Sequence, residues 1–490
     1  MAELYVNMGF KENPFSKYSA EEEKEYINEI YEKPRYYATV CSDIESGTSR
    51  FLMGERGIGK SALMYKLLDD LRNKNIFPVL IDKYDGVPIK SNEQELINLI
   101  IGKVVTDLGI KLLQAPKVIK RLNKIEREKL AFVITYFFES LSKSQIENLY
   151  GKTTHSNSKN LLKKLFNWFL LRPLNIVLSG TSEYVGATVS KAVGLNQIPS
   201  EQVYKEFLKE FDIKNGIPEG KLAYQEYKDL KEILNEIADI IIKLGYRRVV
   251  VFFDQIDEYK VLKSKIDSIS DFILPIVTDN SLLYMDSIGF EFVVWNKVKA
   301  KLKEKQVRFD KFEPIDIGWN EGEIKKIIDR RIQYFSDNKI KELETIMNKD
   351  YVEQILQVVG GSPRNTIKLL HKIYLEQSRI DENVSFFSNE AVKEGLNNFC
   401  MTYEYEMLFP ESQIKKSIDK IMRVKKQEFE IKDLTDVYKV SSQSGINWVK
   451  NMLDYALVEE IDNSGSNKKR YQVIDKKLVY LIENDLKYLG

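Results

Sequence analysis

The residues Gly54-Glu55-Arg56-Gly57-Ile58-Gly59-Lys60-Ser61 place glycine, lysine and a hydroxyl at the spacing G-x-x-x-x-G-K-[ST]. That pattern wraps backbone N–H groups around a β-phosphate. Glycine is needed where a Cβ would block positive φ angles and the close approach of backbone to phosphate. Lys60 would then reach β- and γ-phosphate oxygens as a point charge, and the Ser61 hydroxyl would ligate Mg²⁺. The apolar run Phe51-Leu52-Met53 precedes the loop as a strand. A helix is expected from Ala62 to Leu71, with its N-terminal dipole aimed at the anion.

A phosphate loop needs an acid on the metal side. Val249-Val250-Val251-Phe252-Phe253 is a run of β-favouring apolar residues, as in a strand buried on both faces of a parallel sheet. Asp254-Gln255-Ile256-Asp257-Glu258 follows, at the carboxyl end where open α/β sheets place their ligands. Asp254 is the candidate to hold Mg²⁺ through water, and Asp257 or Glu258 to polarise an attacking water.

Further strands are expected at 79–82, 290–295 and 312–317. The stretch between the second strand and Val249 is far longer than one crossover helix requires. It reads as a mostly helical insertion over about 88–245, with helices at Glu93–Leu108, Glu126–Lys143, Lys159–Leu171 and Tyr224–Leu244. Leu174–Gly180 reads as an extra strand, and 179–196 as an ordered loop. Nothing in the insertion assembles chemistry: His155 stands alone in a polar stretch, and Glu126 and Glu128 fit a solvated helix face. Partner recognition and a simple helical elaboration both remain open for it.

Composition excludes several classes. With 490 residues, the length suggests about three domains. Lys+Arg of 74 against Asp+Glu of 73 leaves a net charge of +1, so there is no global attraction to nucleic acid. Two cysteines, Cys41 and Cys400, and two histidines supply neither a disulfide framework nor a zinc site. The opening Met1–Tyr5 is mixed rather than basic-then-apolar, and Leu165–Leu178 contains Arg172 and Pro173 and is too short to span a bilayer. A cytoplasmic protein without a membrane segment is the expectation.

With both motifs in hand, the chain resembles the AAA+/STAND group of P-loop ATPases, near the origin-recognition and helicase-loader ATPases and their bacterial relatives. Asn13-Pro14-Phe15 is similar to the segment that lines the adenine pocket in that group. Asn296, at the end of Phe290–Trp295, is similar to a polar sensor-1 residue. Gly360-Gly361-Ser362-Pro363-Arg364-Asn365 is similar to the sensor-2 box, which implies Arg364 on the γ-phosphate and Pro363 beside it. Gln255 departs from the pattern, since origin-recognition ATPases usually carry a catalytic Glu there. The register Asp-x-x-Asp-Glu moves that role to Asp257, as in NACHT-like chains. Slow hydrolysis and a switch held in one nucleotide state are equally compatible with it.

The resemblance implies an α/β fold: a parallel-sheet P-loop core (1–320) with the insertion, a helical lid (321–405) and a C-terminal winged helix (406–490). The lid would start with the helix Glu321–Phe335. In the winged helix, helices are expected at Ser412–Arg423, Ile431–Tyr438 and Ser441–Tyr455, then a hairpin of Leu457–Ile461 with Arg470–Val473. DNA contact there would use Gln443, Asn447 and Lys450 against an opposing Asp454, with Lys468-Lys469-Arg470 on phosphates. Implied cofactors are ATP or ADP with Mg²⁺. Implied partners are a homo-oligomer or an effector protein, with Arg308, Arg330 or Arg331 as an arginine finger between subunits. Three functions compete: a nucleotide-driven assembling switch of the kind found in bacterial defence loci, a DNA-binding initiator, loader or transposition regulator, and a nucleotide-binding scaffold without turnover.

Overall fold

The computed structural model describes residues 3–137, 227–405, 413–461 and 469–490. The expectations for Lys159–Leu171, Leu174–Gly180, 179–196, His155 and Lys468 lie outside these residues. Five strands form one parallel sheet: β1 Arg50–Gly54, β2 Phe77–Ile81, β3 Val249–Phe253, β4 Ile288–Trp295 and β5 Ile315–Asp316, in the order β2-β3-β4-β1-β5. β4 pairs with β1 (Phe51 opposite Phe292) and with β3 (Phe253 opposite Phe292). The phosphate loop after β1 and the acids after β3 therefore open on the same carboxyl edge, one strand apart. That is the fold class expected from the residues, an α/β chain on a parallel sheet.

Alternation along the strands sorts the two faces. Phe51, Met53, Val249, Val251, Phe253, Phe290 and Phe292 bury themselves against the helices Glu93–Gln114, Tyr227–Lys243 and Ile266–Val277. Leu52, Val250, Phe252 and Val293 point the other way, against Leu63, Met64 and Leu67 of the Lys60–Arg72 helix and Val40 and Ile44 of Tyr37–Ser46. Covering both faces is why β3 reads as an unbroken apolar run, and β4 as one broken only by Glu291, rather than as alternating strands. Each fully buried apolar side chain contributes about 1.5–3 kcal/mol.

Some boundaries differ from the expectation. The fifth strand spans only Ile315–Asp316. Pro314 has no N–H to donate and biases Glu313 before it, so the ladder cannot run back to Phe312. Phe312 is nonetheless buried in the core. The Glu93 helix continues to Gln114, and the helix expected over Glu126–Lys143 begins at Lys124 and is described to Phe137.

Beyond the sheet, Glu321–Phe335 is a helix opened by an Asn320/Glu323 capping box. Lys349–Val359 ends at Gly360, whose φ of 62° is left-handed. Ser362 caps the next helix, Pro363–Ile380, accepting from the Asn365 N–H at 3.3 Å. At the C-terminal end, helices Ile414–Val424, Ile431–Tyr438 and Ser442–Asp454 precede β7 Val458–Ile461 and β8 Arg470–Val473. A short strand not expected from the sequence, β6 Glu428–Glu430, completes a three-stranded antiparallel sheet in the order β6-β8-β7. The Asn389–Met401 helix and the residues after it are joined to this C-terminal unit by polar contacts: Tyr480 Oη donates to Asn397 Oδ1 at 2.9 Å, and Tyr405 Oη donates to Asp475 Oδ1 at 2.6 Å. Leu4, Met8, Phe10 and Phe15 of the N-terminal segment are buried with the residues of these helices.

One core residue is out of character. Glu291, in β4 on the Val293 face, is fully buried and neither carboxylate oxygen has a hydrogen-bond partner. Burial holds its pKa well above the usual carboxylate range. The folded chain thus keeps a proton that the unfolded chain releases, so this group removes stability as pH rises above the ordinary Glu value. Glu291→Met is expected to raise stability by on the order of 1–3 kcal/mol near pH ~8 and by less near pH ~5, measured by urea unfolding. An equal gain at both pH values would assign the effect to packing rather than to charge.

Candidate functional site

The phosphate loop leaves β1 and turns through Gly57 (φ 79°) and Gly59 (φ 92°), both left-handed. Gly57 is also tightly enclosed: a Cβ would lie 3.2 Å from Arg364 Cβ and 3.3 Å from Ser362 Oγ. Gly59 stands directly before the helix Lys60–Arg72, which begins earlier than the expected Ala62 and so includes Lys60 and Ser61 in its first turn. Lys60 Nζ donates to the carbonyls of Gly54 (3.0 Å) and Glu55 (2.9 Å). Burial lowers its pKa, against the opposing pull of Asp257 and Asp254.

Asp254 is the first residue beyond β3 and is 2% exposed. Its backbone N–H bonds Ile81 O at 3.0 Å, and its carbonyl accepts from Tyr84 Oη at 2.8 Å. These bonds fix the start of the turn. Burial pushes its carboxyl up to about 6, with the Ser61 hydroxyl and the Gln255 N–H pulling the other way through hydrogen bonds. One oxygen, Oδ2, is buried with no hydrogen-bond partner. An orphaned carboxylate oxygen beside a serine hydroxyl is the donor set that a hard divalent cation such as Mg²⁺ takes. These two residues fit the metal.

Asp257 and Arg56 are engaged with each other. Arg56 Nε donates to Asp257 Oδ2 at 2.7 Å and Nη2 donates to the Asp257 carbonyl at 3.2 Å, while the guanidinium lies 4.5 Å from the Trp295 ring centroid. Trp295 Nε1 in turn donates to Glu55 Oε2 at 3.2 Å. The loop is therefore braced to the turn after β3 and to the end of β4. Glu258 is surface-accessible yet flanked by protein. Burial, then the charge of Asp257, pushes its pKa up.

Trp319 and the start of the Pro363–Ile380 helix pack onto the loop. Arg364 donates from its backbone N–H to Gly57 O at 3.3 Å and from Nε to Tyr18 O at 3.3 Å. Ser362 Oγ donates to Gly57 O at 3.3 Å, and Trp319 Nε1 to Ile58 O at 2.7 Å. A cavity runs along this junction. Arg56, Gly57, Gly59, Lys60, Ser61 and Ala62 line it with Asp254, Asp257, Glu258, Pro363 and Arg364. At its other end Ile27, Ile30, Tyr31, Ile327 and Ile367 form an apolar wall suited to a flat base, and Tyr31 Oη is buried there without a hydrogen-bond partner.

Other candidates from the sequence sit elsewhere. Among the described residues, Gly54, Glu55, Ile58, Asn13, Pro14, Phe15 and Asn296 do not line this cavity. Phe15 is fully buried, and Asn13 Oδ1 accepts from the Phe15 N–H at 2.9 Å. Asn296 bonds Gly54 O through its N–H at 3.3 Å. The apolar wall instead comes from Ile27, Ile30 and Tyr31, whose helical i, i+3, i+4 spacing was the signal available in the sequence. Arg331 is buried, with Nε on Pro14 O and Nη2 on Glu23, so it is enclosed rather than offered to a neighbouring subunit. Arg330 holds Glu29 O and Glu32, and Arg308 holds Asp310.

On the C-terminal unit, Gln443, Asn447, Lys450 and Asp454 are all exposed on one helix, alongside exposed Ile446 and Leu453. Two described bases at the β7–β8 hairpin are paired with acids: Lys469 with Glu460 at 2.9 Å and Arg470 with Glu428 at 3.0 Å. Among the described residues no helix is long and apolar enough to cross a membrane, and no cluster of three or more His, Cys, Asp or Glu could hold a metal.

No family model and no curated protein matches the chain. Among solved structures it is similar to the Aeropyrum pernix ORC2 protein in ADPNP-ADP complexes, at 11% identity and TM-score 0.44, covering 97% of this chain and 98% of that one. It is also similar to the Aeropyrum pernix ORC1 protein in complex with DNA (10% identity, TM-score 0.37, 94% of each chain). A third is the Drosophila ORC bound to DNA (10% identity, TM-score 0.31, 98% of this chain and 90% of that one). Likenesses this distant establish neither family nor activity.

Because Asp254 is protonated below about 6, a cation must displace that proton to bind at acid pH. The gain from Mg²⁺ in nucleotide affinity is expected to be full above pH ~7 and to fall up to about tenfold per pH unit below ~6. Asp254→Asn is expected to remove this pH dependence together with most of the Mg²⁺ gain. Titration of a fluorescent nucleotide with and without Mg²⁺ across that range checks both.

Proposed function

We propose that this chain is an ATP-binding, ATP-hydrolysing P-loop switch of the AAA+/STAND type, assembling with further copies or docking a partner in a nucleotide-dependent way. The observation that carries this is the convergence on one cavity of Lys60, Ser61, the orphaned Asp254 oxygen and Arg364. Loop N–H groups and Lys60 would hold the β- and γ-phosphates, and the base would lie against Ile27, Ile30, Tyr31 and Ile327. Ser61 and Asp254 would hold Mg²⁺, which neutralises phosphate charge when bound. Arg364 is suited to the γ-phosphate because its planar fork can bind two oxygens. Its Nε spans to the N-terminal segment at Tyr18 O, so exchanging that carbonyl for a phosphate oxygen would change how the lid and the N-terminal segment meet the core.

DNA binding through the C-terminal unit is the second reading. Its support is the exposed face of Gln443, Asn447 and Lys450 after two shorter helices. Asp454, the apolar Ile446 and Leu453 and the neutralised wing bases weigh toward a protein surface. Steep salt dependence of duplex binding would favour DNA, and no binding at low salt would exclude it.

Two measurements test the first reading. Solution mass with ADP and with a non-hydrolysable ATP analogue is expected to rise with the analogue alone and to stay low for Lys60→Ala. A mass unchanged by either nucleotide would contradict self-assembly. Arg364→Ala is expected to leave ADP affinity within a few fold and to reduce the preference for the ATP analogue over ADP by about tenfold, the equivalent of ~1.4 kcal/mol.

A further inference from the structure

Gln255 follows Asp254 directly and lines the cavity, where a carboxylate would be well placed to take a proton from water. An amide cannot take that proton. The backbone at Gln255 is left-handed (φ 57°), a conformation that side-chain-bearing residues rarely adopt. In that conformation its Nε2 donates to Glu21 Oε1 at 2.8 Å. Gln255 thus holds a carboxylate that arrives from a segment far away in sequence.

Burial, and after it the charge of Glu21, raises the pKa of the Tyr65 hydroxyl, so the two side chains face one another. Tyr65 lies one helical turn beyond Ser61 on the same face of the Lys60–Arg72 helix. Glu21 is thus held by the residue after Asp254, with Gln255 rather than Glu21 lining the cavity, and it lies within electrostatic reach of Asp254 and Glu258. Its charge adds to the upward push on both. Asp257 offers no equivalent group, because its carboxylate is engaged by Arg56 at 2.7 Å.

The segment that carries Glu21 is tied to the lid on both sides. Tyr18 O accepts from Arg364, and Glu23 is paired with buried Arg331 of the Glu321–Phe335 helix. The position of Glu21 therefore follows the lid.

We propose that Glu21 is the catalytic carboxylate of ATP hydrolysis and Gln255 its positioning residue, an assignment that rests on the ATPase reading above. Glu21 takes a proton from water as the water oxygen bonds to the γ-phosphorus. The bond from that phosphorus to the bridging oxygen breaks, its electron pair leaves on ADP, and the proton passes from Glu21 to the released phosphate. Gln255 supplies no proton. It holds the carboxylate in line, and its own carbonyl oxygen is left free to accept from the same water.

The test uses the full chain under single-turnover conditions with Mg²⁺-ATP, alongside the affinity for a non-hydrolysable analogue. Glu21→Gln is expected to slow hydrolysis by about 10²–10⁴-fold with analogue affinity unchanged. Adding Gln255→Glu to that variant is expected to restore most of the rate, since it returns a carboxylate beside Asp254. A purely structural role for Glu21 would instead weaken analogue affinity along with the rate in the Glu21→Gln variant. Hydrolysis at the parental rate in Glu21→Gln, with loss in Glu258→Gln or Asp257→Asn, overturns the assignment. So does a chain that binds the analogue and never turns ATP over, which leaves nucleotide binding standing. Failure to bind the analogue at all overturns the ATPase reading itself.

Discussion

The half-satisfied carboxylate of Asp254, whose Oδ2 has no hydrogen-bond partner, is the constraint around which the rest of the site is arranged. An apolar strand buried on both faces delivers the chain to the sheet edge, and the first polar group after it has no water to meet. Burying such a group without compensation is costly, and here the compensation is incomplete: one oxygen meets the Ser61 side, the other meets nothing. The Lys60 ammonium is nearby but turned onto the carbonyls of its own loop. A cation between Ser61 and Asp254, with phosphate oxygens for Lys60, would satisfy all three groups at once. A metal–polyphosphate complex would therefore relieve the cost of burying these groups.

A second theme is how many elements meet through the N-terminal segment. Tyr18, Glu21 and Glu23 contact Arg364, Gln255 and Arg331 in turn, so a single strap joins the lid, the turn after β3 and the loop region. The lid also touches the loop directly, through Ser362 and Trp319. At the far end, Tyr405 donates to Asp475 and Tyr480 to Asn397, bonds that tie the Asn389–Met401 helix and the residues after it to the C-terminal unit. A change at Arg364 therefore has a continuous packed route to the C-terminal surface, where Ile446 and Leu453 lie exposed.

Much of the fold was legible because its signals are local. The runs at Phe51–Met53, Val249–Phe253 and Phe290–Trp295 are short, apolar and bounded, and each lies within an observed strand. The helix Glu321–Phe335 and the Gly360–Pro363 break follow capping rules that need only neighbouring residues. Pro314 cut the fifth strand short, and Glu428–Glu430 has too few residues and too much charge to announce a strand. Within the site, the loop and the acids after β3 were visible as motifs. The Arg56–Asp257 pair, the Gln255–Glu21 bond and the wall from Ile27 to Tyr31 were not, because each depends on residues distant in sequence meeting only after the sheet and lid have packed.

The most direct test of the central claim is isothermal titration of the full chain with Mg²⁺-ATP, run beside Lys60→Ala and with Mg²⁺ withheld. The account predicts one nucleotide per chain, clear weakening without Mg²⁺, and loss of measurable binding in Lys60→Ala. Equal binding by the parental chain and Lys60→Ala would contradict it, because the nucleotide would then lie somewhere other than the loop of residues 54–61.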